Sequence, residues 1–158
     1  MAGGAVVVRP AEDGDRRPLA LLFAAVADER DGIAAEPPID VEKRAASWDL
    51  GRTLVALGEG EIVGHIVVIE SSFGFAEIGM MVERRWRGRG VGAALVAAAI
   101  ERARARGLHK LALSVFPHNE AAVALYRKFG FLEEGRRLKH MRRANGELWD
   151  VIEMGLLL

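Results

Sequence analysis

A turn rich in arginine and glycine stands near the middle of this 158-residue chain, between an apolar stretch and an alanine-rich one. Residues 76–82 before the turn have the composition of a strand, and residues 94–105 after it strongly favour a helix. Glycine lets backbone N–H groups approach an anion closely, and a helix N-terminus adds partial positive charge. Because four arginines lie within residues 84–89, the turn predicts a binding site for a diphosphate.

Two other interpretations of the turn compete with this one. A plain strand-to-helix connection needs no ligand, since runs of arginine are usually hydrated. Gly88, Gly90 and Ala93 fit the dinucleotide-binding pattern G-x-G-x-x-A, yet residues 83–87 separate this pattern from its strand, and no acidic residue lies about 20 residues further on to bind a ribose. A P-loop is excluded, because no Gly-Lys-Ser/Thr sequence closes the turn.

Arg87, Gly90 and Gly92 together form the pattern R-x-x-G-x-G. This pattern resembles the acetyl-CoA pyrophosphate loop of the GNAT superfamily of N-acetyltransferases, which lies between a strand and a helix. Residues 119–131 are similar to a second segment of that superfamily, N-x-x-A-x-x-L-Y-x-K-x-G-F, at the usual distance downstream. The two motifs occur in the expected order, and the resemblance extends from about Leu54 to the C-terminus.

The resemblance implies a fold and a cosubstrate. The fold is α/β (α+β), with a mixed central sheet of about seven strands flanked by about four helices, in which the fourth and fifth strands splay apart. Acetyl-CoA is the expected cosubstrate, with its pantetheine arm in the opening between these strands and against Val82 and its neighbour Met81. The residues expected to line the pyrophosphate are Arg87, Gly88, Arg89, Gly90, Val91, Gly92 and Ala93.

The chemistry of acetyl transfer suggests further roles. An amine that attacks a thioester must be neutral, the developing oxyanion needs a donor, and the leaving thiolate needs a proton. Tyr126, the sole tyrosine of the chain, occupies the position of the family's general acid. Glu77, in the predicted fourth strand, is the candidate general base. A base acting through water, or an amine that arrives neutral, is an equal alternative, and Ser114 stands where relatives that acetylate ribosomal proteins carry a glutamate.

Other polar residues are candidates for binding the two substrates. Asn119 can cap a helix and also bond the pantetheine arm, and Lys128 can neutralise the 3′-phosphate of CoA, although charges on an exposed helix face are usually just hydrated. The acidic residues Glu29, Asp31 and Glu36 lie in or before a first loop that covers the acceptor site in similar proteins. They would attract a cationic amine, and a merely solvated loop is the alternative.

Composition limits the remaining possibilities. A chain of this length with 51% hydrophobic residues suits one compact domain over residues 1–158. Its formal net charge is zero, so neither nucleic acid nor a membrane is an expected partner. It has no cysteine, and its four histidines show no metal-ligand spacing, so we expect no metal and no cysteine nucleophile. With no leader pattern and no apolar run of about 18 residues, a cytoplasmic protein is expected.

Local signals place the individual elements. Strands are predicted at residues 5–9, 52–57, 62–70, 76–82, 110–115, 131–134 and 148–158, with a hairpin turn at 58–61. Helices are predicted at residues 19–29, 41–48 and 94–106, and a fourth runs from the Asn119 cap to Gly130. This order, with strands and helices alternating in the second half, agrees with an α/β or α+β sandwich.

Finer resemblances concern the acceptor. Residues 63–65 (Val-Gly-His), 115–119 (Val-Phe-x-x-Asn) and 145–150 are similar to bacterial amino-acid N-acetyltransferases, and residues 131–135 are similar to spermidine N-acetyltransferases. We therefore expect direct transfer, in a ternary complex, from acetyl-CoA to a primary amine of an amino acid or polyamine. The alternatives are a non-catalytic acyl-CoA-binding or sensor module and a protein N-acetyltransferase. The apolar tail, residues 154–158, would permit a homodimer.

Overall fold

The computed structural model describes residues 4–158 of the chain. Within this range the strands are β1 (Val7–Pro10), β2 (Thr53–Gly58), β3 (Glu61–Glu70), β4 (Phe75–Val82), β5 (Lys110–Val115), β6 (Leu132–Arg142) and β7 (Leu148–Leu157). The α-helices are α1 (Arg16–Asp28), α2 (Val41–Ser47), α3 (Val91–Ala105) and α4 (Glu120–Lys128). Short 3₁₀ turns lie at Asp13–Asp15, Leu50–Arg52 and Arg84–Trp86. None of the helices in the described range is long and apolar enough to cross a membrane.

The strands form one mixed sheet in the order β1-β2-β3-β4-β5-β7-β6. β4 and β5 run parallel, and their ladder joins residues 75–77 to residues 110–112. β5 pairs antiparallel with β7 along all of residues 110–115. Seven strands and four α-helices confirm the predicted α/β (α+β) fold, and the short ladder between β4 and β5 agrees with the predicted splay of these strands.

Local chemistry explains where the elements begin and end. The β2–β3 hairpin turns at Glu59 and Gly60, whose φ angles of 53° and 80° are both left-handed, as a tight two-residue hairpin turn requires. α4 begins after Asn119, whose side chain accepts a hydrogen bond from the backbone N–H of Ala122 at 3.4 Å. α3 ends two residues before Gly107, which has a φ of 73°. These turn and cap signals were correctly predicted, with element ends displaced by a few residues.

Strand β6 is much longer than predicted. The sequence suggested residues 131–134, whereas the strand runs over Leu132–Arg142. Every residue of β6 except Met141 is exposed, so the segment carries no alternation of buried and exposed side chains from which a strand could be recognised. The ladder with β7 is also irregular between Arg137 and Met141, and Lys139 there has a φ of 47°.

The chain comprises two compact units. The first contains described residues 4–68 and 80–99, and the second contains residues 69–79 and 100–158. The first therefore holds the arginine-glycine turn and helices α1 and α2, and the second holds β5, β6, β7 and α4. The expectation of a single domain over residues 1–158 stays a prediction.

The core of the first unit encloses a histidine. Leu19, Phe23, Trp48 and Val55 form this core, and the ring of His65 lies edge-on to Trp48 with 4.9 Å between the ring centroids. His65 is 3% exposed, and neither of its ring nitrogens has a hydrogen-bond partner among residues 4–158. Burial, with a smaller contribution from the charge of Arg44, lowers the pKa of His65 from 6.5 to about 3. The imidazole is therefore neutral in the folded protein.

This burial predicts a loss of stability in mild acid. Because the folded-state pKa lies below the unfolded-state value of 6.5, the unfolded chain binds the extra proton as the pH falls from 6.5 towards 3. Lowering the pH from 7.5 to 5 should therefore reduce the free energy of unfolding by about 2 kcal/mol through this histidine. In His65→Leu that part of the loss should disappear, as measured by urea unfolding at both pH values.

The matched control is His140→Gln, because His140 is exposed on β6. This variant should keep the acid sensitivity of the wild type. If His65→Leu lost as much unfolding free energy between pH 7.5 and pH 5 as the wild type, His65 would not be the cause of the acid sensitivity.

Candidate active site

The arginine-glycine turn opens at the N-terminus of α3. Gly88 and Gly90 have φ angles of 73° and 85°, and a Cβ at either position would meet no atom within 4 Å. The first bond of the helix joins the N–H of Ala94 to the carbonyl of Gly90 at 3.0 Å, so the N–H groups of residues 91–93 precede the helical hydrogen-bond ladder. Open space, left-handed glycines and a helix N-terminus together make a site suited to an anion.

The arginines of the turn have different surroundings. Arg85 is highly exposed and pairs with Glu83 at 3.0 Å. The guanidinium of Arg89 lies 3.8 Å from the centroid of the Trp86 ring. Trp86 is buried and packs against Gly58, where a Cβ would come within 2.6 Å of the ring. The hairpin between β2 and β3 thus packs against the turn and supports it.

Arg87 makes the strongest polar contacts of the turn. Its Nη1 and Nη2 atoms donate to Oε1 and Oε2 of Glu29 at 2.7 and 2.8 Å, and its Nε donates to the carbonyl of Val82 at 3.0 Å. The sequence predicted Arg87 as a contact of the pyrophosphate and Glu29 as a contact of the acceptor. The structure brings the two side chains together in a bidentate ion pair, and their assignment to the two substrates stays a prediction.

A groove of about 360 Å³ lies beside this pair within the first unit. It is lined on the helix side by residues of α1 and its end, and on the other side by the two residues that follow β4: Leu22, Ala25, Val26, Asp28, Glu29, Glu83 and Arg84. Met81, at the end of β4, packs against the apolar core. Of the other predicted acceptor contacts, Asp31 is exposed and Glu36 is half-buried.

The second unit holds the candidate general acid. Tyr126 is 6% exposed on α4, and its ring centroid lies 5.6 Å from that of Phe131. Burial raises the pKa of Tyr126 to about 12, so the phenol keeps its proton even in mildly alkaline solution. Asn119 caps the same helix, and Lys128 lies exposed near its end.

One face of the sheet in the second unit carries two carboxylates. Glu77 lies opposite Ala112 in the β4–β5 ladder, and Ser114 follows two residues later on the same face of β5. Ser114 Oγ donates to Glu153 Oε2 at 2.8 Å, and Arg137 Nε donates to Oε1 at 3.2 Å. The sequence did not predict Glu153, because only the β5–β7 register places it opposite Ser114.

A comparison with known protein families identifies the family of this chain. Residues 22–131 match the model of the "Acetyltransferase (GNAT) family". The chain belongs to the GNAT family of acetyltransferases. It is therefore an acetyl-CoA-dependent acyltransferase, and the predicted family is confirmed.

Individual GNAT relatives resemble most of the chain. An L-amino acid N-acetyltransferase of Escherichia coli is 30% identical over 156 residues, covering 94% of this chain and 96% of the relative. An L-methionine sulfoximine/L-methionine sulfone acetyltransferase of Pseudomonas aeruginosa is 32% identical over 112 residues, covering 64% of this chain and 65% of the relative. The crystal structure of a ribosomal-protein-alanine N-acetyltransferase from Brucella melitensis has a TM-score of 0.86 at 29% identity, covering 96% and 99% of the two chains.

The left-handed glycines predict a specific effect on acetyl-CoA binding. In Gly90→Ala the new Cβ disfavours the φ of 85°, so the backbone of the turn should change conformation. The N–H groups of residues 91–93 should then no longer point towards the diphosphate. We expect the Kd for acetyl-CoA to rise about tenfold, as measured by isothermal titration calorimetry.

Gly107→Ala is the matched control, because Gly107 has a similar φ of 73°, also has open space around it, and follows the other end of α3. It should lower the melting temperature by a similar amount while leaving the Kd unchanged. Equal losses of affinity in the two variants would contradict a local role of Gly90.

Proposed function

We propose that the protein transfers the acetyl group of acetyl-CoA to a primary amine of a small molecule, an amino acid or a polyamine, by direct transfer in a ternary complex. The observation that carries this proposal is the open helix N-terminus at residues 88–93, preceded by left-handed glycines, in a chain of the GNAT family. The similarity to an L-amino acid N-acetyltransferase over nearly the whole chain supports the acceptor class.

Backbone groups of the turn would bind the diphosphate of acetyl-CoA. The N–H groups of Gly88, Arg89, Gly90, Val91, Gly92 and Ala93 are suited to this role, with the dipole of α3 behind them. Met81 and Val82 would contact the pantetheine arm. Asn119 would add a hydrogen bond to that arm, and Lys128 would contribute charge for the 3′-phosphate. In this assignment Arg87 belongs to the site because it is part of the turn that binds the diphosphate.

In the reaction, the amine nitrogen would attack the thioester carbonyl, the C–S bond would break, and the amine would lose a proton while the thiolate gains one. Tyr126 would stabilise the departing sulfur. Its pKa of about 12 lies above that of an ordinary thiol, about 8.5, so donation of its O–H hydrogen bond to the developing negative charge is its main contribution. Glu77 would accept the amine proton directly or through water.

Charge and the named relatives support the proposed acceptor class. Asp31 and Glu36, in the loop after α1, would attract a cationic amine before it is deprotonated. The relatives named for L-amino acids and for L-methionine sulfoximine or sulfone favour an amino acid. A protein N-terminus is the second candidate, because a ribosomal-protein-alanine N-acetyltransferase shares the fold at 29% identity.

A homodimer is also part of the proposal. The sequence suggested that the apolar tail could form its interface, and Leu157 is indeed 76% exposed, although Met154 is 1% exposed and belongs to the core. Among the tail residues, Leu157 offers the largest exposed apolar surface. Size-exclusion chromatography with light scattering tests this proposal.

Tyr126→Phe tests the role of the phenol. The variant keeps the buried ring but loses the O–H group, so kcat should fall about 100-fold. The Kd for acetyl-CoA should change less than twofold, because the hydroxyl acts on the leaving sulfur. Stopped-flow or steady-state thiol release, combined with calorimetry, separates the two effects. Unchanged turnover would remove Tyr126 from the mechanism.

Thiol release from acetyl-CoA identifies the acceptor. The reaction should be followed with a thiol-reactive dye in the presence of amino acids, polyamines, aminoglycosides or a peptide with a free N-terminus and a lysine. The protein contributes no thiol background because it contains no cysteine. We expect release with amino acids or polyamines. Release with the peptide alone would favour the second candidate, and silence with every amine, in folded protein that binds acetyl-CoA, would contradict the proposed acceptor class.

A further inference from the structure

The ion pair between Glu29 and Arg87 joins two residues that the sequence assigned to different substrates. We infer that Glu29 and Arg87 are a positioning pair: Glu29 holds the guanidinium of Arg87 away from the diphosphate and fixes the end of β4 for acetyl-CoA binding. This inference rests on the proposed function. It gives Glu29 a role that acts through Arg87 instead of through the acceptor amine.

The contacts of Arg87 connect three segments of the first unit. Its Nε bonds the carbonyl of Val82 at 3.0 Å, and its two terminal nitrogens bond both carboxylate oxygens of Glu29 at 2.7 and 2.8 Å. Val82 is the last residue of β4, and Glu29 directly follows α1. The arginine side chain therefore ties the end of the strand and the end of the helix to the turn that precedes α3.

The geometry argues against Arg87 as a direct ligand of the diphosphate. A bidentate carboxylate matches the planar guanidinium fork, and this carboxylate is supplied by the same chain, so an incoming phosphate would have to displace it. Glu29 is also well shielded, with 18% of its side chain exposed. Arg84, which lines the adjacent groove, is a second arginine of the same turn.

The position of Glu29 gives the pair a second effect. The next residue, Arg30, has a φ of 56°, and the chain then leaves α1 for the loop that contains Asp31 and Glu36. The pair therefore fixes the point from which this loop departs. Breaking the pair should weaken the binding of both acetyl-CoA and the acceptor, while the chemical step, which depends on other groups, stays nearly unchanged.

Glu29→Gln distinguishes a positioning pair from a competitor for the phosphate. The variant removes a negative charge beside an anion site, so simple electrostatics predicts tighter binding of acetyl-CoA. The positioning pair predicts the opposite, with the Kd for acetyl-CoA and the KM for the acceptor rising about threefold to tenfold and kcat changing less than twofold. Calorimetry measures the Kd, and thiol release measures KM and kcat.

Asp28→Asn is the matched control. Asp28 neighbours Glu29, lines the same groove and loses the same charge, but the pair does not include it. Its Kd for acetyl-CoA should stay the same or fall. A Kd for acetyl-CoA that stays the same or falls in Glu29→Gln, like that of Asp28→Asn, would overturn the positioning role.

A double-mutant cycle completes the test. If Glu29 acts through Arg87, then Glu29→Gln should add no further loss in an Arg87→Ala background. Arg87→Lys, which keeps the charge but not the fork, should weaken binding as much as Glu29→Gln. Full affinity in Arg87→Lys, or additive losses in the double variant, would overturn the pair. Wild-type protein that does not bind acetyl-CoA at all would instead overturn the proposed function, and the pair's role with it.

Discussion

The left-handed backbone at Gly88 and Gly90 is the constraint on which the geometry of the turn depends. These glycines follow β4 within a few residues, have open space where a side chain would lie, and lead into the first N–H groups of α3, which precede the helical hydrogen-bond ladder. The surrounding side chains preserve that shape. Trp86 fills the volume that a side chain at position 58 would occupy, and Arg87 fixes the turn to Val82 and Glu29. An anion site made of backbone groups needs such support, because its donors cannot adjust independently.

Local sequence signals were sufficient to predict most of the fold. The paired glycines of the turn, the Asn119 cap and the glycine after α3 each act through their own neighbours, so their effects can be read from short segments. The β2–β3 hairpin is similar, since its turn needs only two residues with positive φ. The full extent of β6 could not be predicted in this way, because its side chains are nearly all exposed. Nothing in its composition distinguishes such a strand from a solvated loop.

Contacts between distant residues were not predictable. Glu29 and Arg87 are 58 positions apart, and their pairing depends on how α1 packs, which no local pattern reports. The same holds for Glu153, which the register of two strands places opposite Ser114. Composition also cannot reveal that His65 and Tyr126 are buried, yet burial lowers the pKa of His65 to about 3, so that it stays uncharged in mild acid, and raises the pKa of Tyr126 to about 12.

Strand β6 has a consequence for how the protein behaves in a crowded solution. It forms one edge of the sheet, and an unpaired edge is a template on which other chains can add strands and begin to aggregate. Here the edge carries many charges, among them Arg136, Lys139 and Arg142, and its ladder is interrupted where Lys139 adopts a left-handed backbone. A copy of β6 added in parallel register would bring like charges together, and any added strand would have to follow the break in register. The exposed, charged side chains that hid this strand from recognition thus also oppose open-ended polymerisation of the protein.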